Sequence, residues 1–232
     1  MKIKHGMILA AGFGKRMQPL TLSKPKPLIN IGNKTLLERA LNLLLNNGVD
    51  EISINVHHLS DQIEKYISSF NSKANIKISY ERDLLLDTGG GVKEGTKFFK
   101  DHPFFVINPD TLWDNNYSGE IKLLEKIYFS KNKPCLLVVN KKLSFDTSFK
   151  GDFNLKNKII SKDIQNNFIF TGLQVIDRKY LNLIDKKVFS MNELWKRLIV
   201  EKNLCGIESK QKFYHLNTLE MYKKISHLNI ID

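Results

Sequence analysis

A glycine-containing loop near the start of the chain carries the residues best suited to hold a phosphate. An apolar run ends in small residues at positions 10, 11, 12 and 14, and Lys15 and Arg16 follow at once. Small residues let a backbone approach a ligand closely, and backbone N–H groups with fixed cations form an anion cradle. Lys26 lies between Pro25 and Pro27, which restrict its backbone. The pattern predicts a triphosphate-binding loop.

Two familiar glycine loops do not fit this stretch. The dinucleotide-binding fingerprint requires a third glycine at position 17, where the chain has Met17. A P-loop requires a glycine where Leu9 stands and Ser or Thr where Arg16 stands. On the glycines alone, the alternative interpretation is an ordinary turn with solvated lysines.

The surrounding pattern predicts the elements that position this loop. Strands and helices alternate through the first half, which indicates right-handed crossovers and a three-layer α/β fold: a Rossmann-like, mostly parallel mixed sheet flanked by helices. Ligands bind beyond the carboxyl ends of such strands. The loop, the glycines after residue 88 and Asp110 should therefore share one crevice. The predicted elements are strands at 7–11, 51–56, 76–80 and 103–108, a helix from Thr35 to about Asn47, and helices beginning at Ser60 and near Thr88.

The second half of the chain is less regular, and the pattern predicts a mixture of elements there. Thr171-Gly172 lies inside a predicted strand, where a glycine indicates the close approach of a bulky group. The predicted elements are helices at 120–129 and 191–200, strands at 134–140, 168–176 and 213–216, a hairpin from 149–155 and 159–161, and a terminal helix capped by Thr218.

Two further features could carry chemistry. Three glycines follow Thr88 at the start of a predicted helix, a second place where backbone N–H groups can contact a ligand; the alternative is a flexible turn. Asp110 directly follows a predicted buried strand, and a carboxylate there suits Mg²⁺, a hard cation. Its alternative role is that of a turn or N-cap aspartate.

The whole segment LAAGFGKRMQPLTLSKPKPL resembles the signature of the sugar-nucleotide pyrophosphorylases, nucleotidyltransferases that join a sugar 1-phosphate to a nucleoside triphosphate. The likeness continues through Asn55, 88–91, Asn108/Asp110 and Gly172. Within the family it is strongest to N-acetylmuramate-1-phosphate uridylyltransferases and mannose-1-phosphate guanylyltransferases. The resemblance implies one domain over 1–232, of the nucleotide-diphospho-sugar transferase type, with a nucleotide-binding half (about 1–112) and a sugar-binding half (about 113–232).

The resemblance also implies roles for individual residues. Arg16 would hold the β- and γ-phosphates, Lys26 the α-phosphate and the sugar phosphate, and Asp110 the Mg²⁺ ion. The implied nucleotide-binding residues are Leu9, Ala10, Ala11, Gly12, Gly14, Lys15, Asp83, Thr88, Gly89, Gly90 and Asn108. The implied sugar-binding residues are Gly151, Asp152, Thr171, Gly172 and Glu193.

The chain departs from the family pattern in two places. His215 stands where the family commonly has a second metal-binding aspartate, so His215 is a candidate ligand, with Mn²⁺ or Co²⁺ as alternatives to Mg²⁺. The family's Glu-Lys-Pro sugar motif is absent, which leaves the sugar open, and the base could be that of UTP or GTP. The alternative class is a non-catalytic, nucleotide-binding regulator.

Charge and composition limit the remaining functions. The chain has 36 Lys and Arg against 24 Asp and Glu, but the basic residues are scattered and no aromatic-basic motif appears, so we expect no nucleic-acid partner.

No apolar run approaches the roughly 18 residues of a membrane span, and we expect no membrane partner. The amino-terminal apolar run is shorter than the ~7 residues of a secretion signal. Cys135 and Cys205 fit buried thiols in a reducing cytoplasm.

Overall fold

Residues 1–228 are described by a computed structural model, and within them nine strands form one large mixed sheet. A separate two-stranded hairpin, β2–β3, follows the glycine loop. The strands are β1 His5–Leu9, β2 Asn30–Ile31, β3 Lys34–Thr35, β4 Glu51–Val56, β5 Asn75–Tyr80, β6 Phe104–Ile107, β7 Cys135–Asn140, β8 Asn154–Lys156, β9 Ile159–Ser161, β10 Phe168–Ile176 and β11 Cys205–Ser209.

The order of strands in the large sheet is β5-β4-β1-β6-β10-β7-β11-β9-β8. Its first four strands are parallel throughout, as βαβ crossovers require. β10 then runs antiparallel to both β6 and β7, and β11 is parallel to β7. The carboxyl ends of β5, β4, β1 and β6 therefore meet along one edge of the sheet.

Helices cover both faces of the sheet, so the predicted three-layer α/β fold is confirmed. Side chains alternate along β1, and Met7 and Ile8 belong to different cores on opposite faces. α2, α3 and α5 pack on one face, and α4, α6 and α7 on the other. The helices are α1 Leu20–Ser23, α2 Leu36–Asn46, α3 Ser60–Ser69, α4 Asp87–Gly95, α5 Ser118–Lys131, α6 Arg178–Leu181, α7 Met191–Val200 and α8 Leu219–Ser226.

Two helices begin where the sequence predicts, because a threonine side chain caps each of them. Thr35 Oγ1 accepts a hydrogen bond from the Glu38 N–H at 3.0 Å. Thr218 Oγ1 accepts one from the Met221 N–H at 3.2 Å. Each cap satisfies an N–H group that has no partner inside its helix. Among residues 1–228, none of the helices combines the length and the apolar character needed to cross a membrane.

Two predictions for the second half were wrong in detail, and one strand was missed. Residues 213–216 form no strand, because Phe213 bridges to Ser144 while His215 bridges to Thr111, two neighbours that belong to no common strand. The first arm of the hairpin begins at Asn154, not at 149. The alternation of residues did not reveal β11, whose burial is nearly complete and therefore leaves no alternating pattern.

Candidate active site

A cavity opens at the carboxyl ends of the four parallel strands, where the sequence places its candidate ligand-binding loops. One wall is the glycine loop after β1, a second wall contains Leu85, Asp87 and Thr88, and Asp110 lines the cavity after β6. The lining residues are Leu9, Ala10, Ala11, Gly12, Gly14, Lys15, Arg16, Met17, Lys26, Pro27, Leu36, Asn55, Glu81, Leu85, Asp87, Thr88, Asn108, Pro109, Asp110 and Asn217.

The two glycines of the loop differ in how much space a side chain would have at each position. Gly14 has a positive φ of 63°, and its carbonyl oxygen accepts a hydrogen bond from Thr21 Oγ1 at 2.9 Å. A Cβ at Gly14 would lie 2.8 Å from Thr21 Cγ2, so packing requires a glycine there. A Cβ at Gly12 would meet no atom within 4 Å. The backbone at Gly12 is therefore open towards the cavity.

The two candidate phosphate-binding cations lie on short 3₁₀ turns, Lys15–Met17 and Lys26–Leu28. Arg16 is exposed beside the cavity and forms no ion pair within residues 1–228. Lys26 is largely buried, and its Nζ lies 2.6 Å from Asp110 Oδ2. One cation is thus free to meet an incoming anion, while the other is already held beside a carboxylate.

Asp110 holds two partners on one oxygen and none on the other. Its Oδ2 accepts from Lys26 Nζ and lies 3.2 Å from His215 Nε2, whereas its buried Oδ1 has no hydrogen-bond partner within residues 1–228. Burial alone would raise the pKa of this carboxyl, but Lys26 and His215 outweigh it and hold the pKa well below its usual range. Asp110 is therefore a carboxylate with one buried oxygen that no described donor satisfies.

The unpartnered Oδ1 of Asp110 is suited to bind a divalent cation. Magnesium in proteins is commonly held by one or two carboxylates, with substrate phosphates and water completing the shell. Within residues 1–228 no three His, Cys, Asp or Glu side chains come close enough to form a metal cluster. The residues present therefore fit a metal held jointly by Asp110 and a bound polyphosphate, not one bound by the protein alone.

His215 contacts Asp110 directly, as its position in the sequence led us to consider. Its Nε2 bonds to Asp110 Oδ2, and its ring packs against Phe149 and Phe213, with ring centroids 5.8 and 5.7 Å away. Its buried Nδ1 has no partner within residues 1–228. In this arrangement His215 orients the carboxylate of Asp110, and its role as a metal ligand stays a prediction.

The second glycine cluster is packed against protein in the structure. The N–H groups of Gly89 and Gly90 donate to the Phe189 carbonyl oxygen at 2.9 and 3.1 Å. A Cβ at Gly89 would lie 2.3 Å from the Phe189 ring, and one at Gly90 2.3 Å from the Lys187 carbonyl oxygen. Neither glycine lines the cavity, although Thr88 does. The cluster begins α4, so the flexible-turn alternative was wrong, and the close approach of residues 187–189 accounts for two of its glycines.

The remaining candidate residues lie outside the cavity lining. Asp83 borders a neighbouring groove on the far side of Glu81. Gly172 has a φ of 94° and packs against Asn108, which confirms the close approach predicted for it. Gly151 packs in the same way against the Asn166 carbonyl oxygen.

The polar sugar-binding candidates already have protein partners. The Thr171 hydroxyl donates to the Leu137 carbonyl oxygen at 2.9 Å inside the sheet. Asp152 Oδ2 accepts from the Phe170 N–H at 2.9 Å. Glu193 forms an exposed ion pair with Lys186 at 2.6 Å. These three side chains are therefore engaged by protein groups, while the Thr171 carbonyl oxygen accepts from the hydroxyl of Thr111, the neighbour of Asp110, at 2.6 Å.

Several lining residues were not among the sequence-derived candidates, and Asn55, Glu81 and Asn217 are three of them. Asn55 is the penultimate residue of β4 and was noted only as part of the family likeness. Glu81 directly follows β5, and Asn217 lies two residues after His215. The rule that ligands bind at the carboxyl ends of parallel strands would have indicated Asn55 and Glu81. Asn217 has no such signal, because no regular element precedes it.

The family assignment follows from comparison of the sequence with known proteins. The profile of the nucleotidyl transferase family matches residues 5–141, more than half of the chain, and this segment contains β1, the glycine loop and Asp110. The chain belongs to the nucleotidyl transferase family. N-acetylmuramate alpha-1-phosphate uridylyltransferase of Caulobacter vibrioides is 28% identical over 221 residues, which cover 92% of this chain and 91% of that protein.

Mannose-1-phosphate enzymes match over a shorter share of their length. The catalytic subunit beta of mannose-1-phosphate guanylyltransferase from Dictyostelium discoideum is 36% identical over 110 residues, 47% of this chain and 31% of that protein. Among solved structures, UDP-glucose pyrophosphorylase complexed with UDP-glucose superposes with a TM-score of 0.80 at 18% identity, covering 97% of both chains. That superposition shows the shared fold.

Proposed function

We propose that this member of the nucleotidyl transferase family is an enzyme that joins a sugar 1-phosphate to a nucleoside triphosphate, giving a nucleoside diphosphate sugar and pyrophosphate. The observation that carries the proposal is the convergence on one cavity of Arg16 and Lys26, from the loop after β1, with Asp110, from beyond β6. The full-length likeness to the C. vibrioides uridylyltransferase supports the same reaction class.

The reaction brings two anions together, so the protein must supply positive charge. A sugar phosphate oxygen attacks the α-phosphorus, and the bond from the α-phosphorus to the pyrophosphate oxygen breaks. Exposed Arg16 would bind the β- and γ-phosphates with its planar guanidinium and stabilise the departing pyrophosphate. Lys26, already fixed by Asp110, would lie between the α-phosphate and the sugar phosphate without rearranging.

Asp110 would hold the metal through its unpartnered Oδ1, while Lys26 and His215 keep its Oδ2 in place. We expect Mg²⁺, with Mn²⁺ or Co²⁺ as alternatives because of the nearby imidazole nitrogen. A bound divalent cation would supply charge compensation to the polyphosphate. The rest of the positioning belongs to the protein: Gly12 and Lys15 face the phosphates, and Leu9–Ala11 face the nucleoside.

The substrates we favour are UTP and N-acetylmuramate 1-phosphate, because the relative that matches over nearly the whole chain uses them by name. GTP with mannose 1-phosphate is the alternative, since shorter matches bear that name. The first pair would place the enzyme in cell-wall precursor supply, in the cytoplasm. We expect residues 1–112 to bind the nucleotide, and residues 113–232, with Gly151, Asp152, Thr171, Gly172 and Glu193, to bind the sugar.

A non-catalytic nucleotide-binding regulator is the second candidate, and His215 is the observation that favours it. An imidazole stands where the family pattern has a carboxylate, which lowers the number of anionic metal ligands to Asp110 alone within the described site. The retained Lys26–Asp110 pair argues for catalysis.

A substrate matrix separates these candidates. UTP, GTP, CTP and dTTP would each be combined with N-acetylmuramate, mannose, glucose and N-acetylglucosamine 1-phosphates in the presence of Mg²⁺. Pyrophosphate release would be the readout, and each triphosphate alone would be the control. We expect release with one pair well above the others. Binding of a triphosphate with no release from any pair would favour the regulator.

A further inference from the structure

A buried hydrogen-bond chain links the two walls of the cavity at the end away from Asp110. The Ala10 N–H donates to Asn55 Oδ1 at 2.8 Å, and Asn55 Nδ2 donates to Glu81 Oε1 at 2.7 Å. Glu81 Oε2 accepts from the Leu86 N–H at 2.8 Å. Asn55 and Glu81 thus connect the glycine-loop wall to the wall that contains Leu85 and Asp87.

Glu81, the glutamate in this series of hydrogen bonds, is buried, which is unusual for an acidic side chain. Glu81 and Asn55 are each only 3% exposed. Glu81 forms no ion pair within the described residues, and each of its two carboxyl oxygens accepts one hydrogen bond, from Asn55 and from Leu86. A buried carboxylate without a cation is costly unless its hydrogen bonds are in place. The pair is therefore a rigid connection whose geometry the protein maintains.

The third glycine of the cluster makes room for this pair. A Cβ at Gly91 would lie 2.7 Å from both Asn55 Nδ2 and Glu81 Oε1. Phe189 and Lys187 account for Gly89 and Gly90, but they do not account for Gly91. The absence of a side chain at 91 is thus tied to the Asn55–Glu81 hydrogen bond.

The strand order places the pair at the nucleoside end of the cavity. Asp110 follows β6, Ala10 follows β1, Asn55 is the penultimate residue of β4, and Glu81 follows β5. Neighbouring strands lie about 4.8 Å apart, so β5 is roughly 14 Å from β6 along the sheet edge. With its phosphates at Lys26 and Asp110, a nucleotide lying along this edge has its base beside Asn55 and Glu81.

We propose that the Asn55–Glu81 pair is a positioning element for the nucleobase, which fixes the separation of the two walls between which the base binds. The inference rests on the proposed function, because it takes the bound ligand to be a nucleoside triphosphate. Glu81 accepts directly from the Leu86 N–H. It also accepts from Asn55, which in turn accepts from the Ala10 N–H, so Glu81 positions both backbone segments.

The proposal can be tested by exchanging the amide and the carboxyl group between positions 55 and 81. In Glu81→Gln a single oxygen replaces two acceptors, so the new NH₂ group opposes either the Asn55 amide or the Leu86 N–H, or Asn55 flips and abandons the Ala10 N–H. In Asn55→Asp two carboxylates face each other. The double variant Asn55→Asp/Glu81→Gln restores every bond: the new aspartate accepts from Ala10 and from the glutamine amide, and the glutamine oxygen accepts from Leu86. Its net charge equals that of the wild type.

The test measures binding of UTP and of GTP by titration calorimetry without sugar phosphate, together with KM for each substrate. We expect each single variant to bind the triphosphate about tenfold more weakly, the scale of one lost buried hydrogen bond. We expect its KM for the sugar 1-phosphate to be unchanged. The double variant should return to within about threefold of the wild type. Gly91→Ala, which pushes the pair apart without changing its chemistry, should resemble the single variants.

Glu125→Gln is the matched control, because Glu125 is also a buried glutamate that accepts from a backbone N–H, that of Ile3 at 2.8 Å. It should lower the melting temperature without changing triphosphate binding. Wild-type affinity in both single variants overturns the inference. So does a double variant that binds no better than Glu81→Gln, since that outcome makes the carboxylate at 81 a direct contact of the base. Wild-type protein that binds neither UTP nor GTP refutes the proposed function itself.

Discussion

Lys26 and Asp110 are separated by 84 residues in the sequence, yet Lys26 Nζ and Asp110 Oδ2 lie 2.6 Å apart. The pair joins the loop after β1 to the end of β6, two neighbouring parallel strands. A cation and a carboxylate are thus held together in the lining of the cavity. The Oδ1 atom of Asp110 faces no protein donor within residues 1–228.

Asp110→Asn should reduce turnover by about 10³-fold or more, because a metal held by Asp110 would contribute several kcal/mol to the transition state by compensating the phosphate charge. Turnover would be measured by pyrophosphate release at saturating Mg²⁺. Asp50→Asn, which removes an exposed carboxylate paired with Lys4, is the control and should turn over normally. Near-normal turnover of Asp110→Asn would remove Asp110 from the mechanism.

Lys26→Ala should lose about 10²–10³-fold in kcat, as expected when one preorganised charge stabiliser is deleted. Lys24→Ala tests a lysine of the same loop whose Nζ bonds to Asn30 instead, 3.3 Å away, and it should keep kcat. Equal losses in the two variants would mean that general loop charge, not the position of Lys26, drives the reaction.

The two glycines of the loop should respond differently to alanine. Gly12→Ala adds a methyl group to open space, so the protein should melt normally while its KM for the triphosphate rises. Gly14→Ala forces a left-handed residue to carry a Cβ, which costs about 1–2 kcal/mol in addition to the contact with Thr21. Melting temperature and KM, measured on both variants, check the contrast. A normal KM in Gly12→Ala would show that the ligand does not approach that backbone.

His215→Asp should shift metal activation towards Mg²⁺, since a carboxylate oxygen replaces a nitrogen beside Asp110. Activation curves for Mg²⁺ and Mn²⁺ would be recorded for the wild type, His215→Asp and His215→Ala. The wild type should require less Mn²⁺ than Mg²⁺. Superimposable curves for all three proteins would leave His215 with a purely structural role.

The thiols of Cys135 and Cys205 should not react in the folded protein. The two residues pair across β7 and β11, and burial raises the pKa of both thiols, which leaves little thiolate at pH 8. With the disulfide reagent DTNB, we expect no rapid release of coloured thiolate from native protein and two equivalents in urea. Fast labelling without urea would show that the sheet opens around β11.

The sequence predicted the site residues best where they follow the carboxyl ends of parallel strands. Arg16, Lys26 and Asp110 line one cavity, as expected from loops at the carboxyl ends of parallel strands. Thr35 and Thr218 cap helices as predicted, because a cap is a local interaction. Gly89 and Gly90 show the limit: glycine indicates that something approaches closely, but the approaching group is Phe189, a hundred residues away.

Glu81 is a cavity residue that the sequence did not indicate. A glutamate at the end of an alternating strand resembles a solvated charge, and only the tertiary structure brings Asn55 and Leu86 to its two oxygens. The sugar-binding half is harder still, because β10 joins it to the parallel strands in the antiparallel sense and no strand-end rule applies there.

The most direct test of the proposed reaction follows the phosphates of the triphosphate. The enzyme would be incubated with the sugar 1-phosphate that gives most pyrophosphate release and with UTP or GTP labelled with ³²P at either the α- or the γ-position. We predict that the α-label appears in the nucleoside diphosphate sugar and the γ-label in pyrophosphate, and that both transfers are lost in Asp110→Asn. Release of the γ-label as inorganic phosphate, or its transfer to the sugar, would contradict attack at the α-phosphorus.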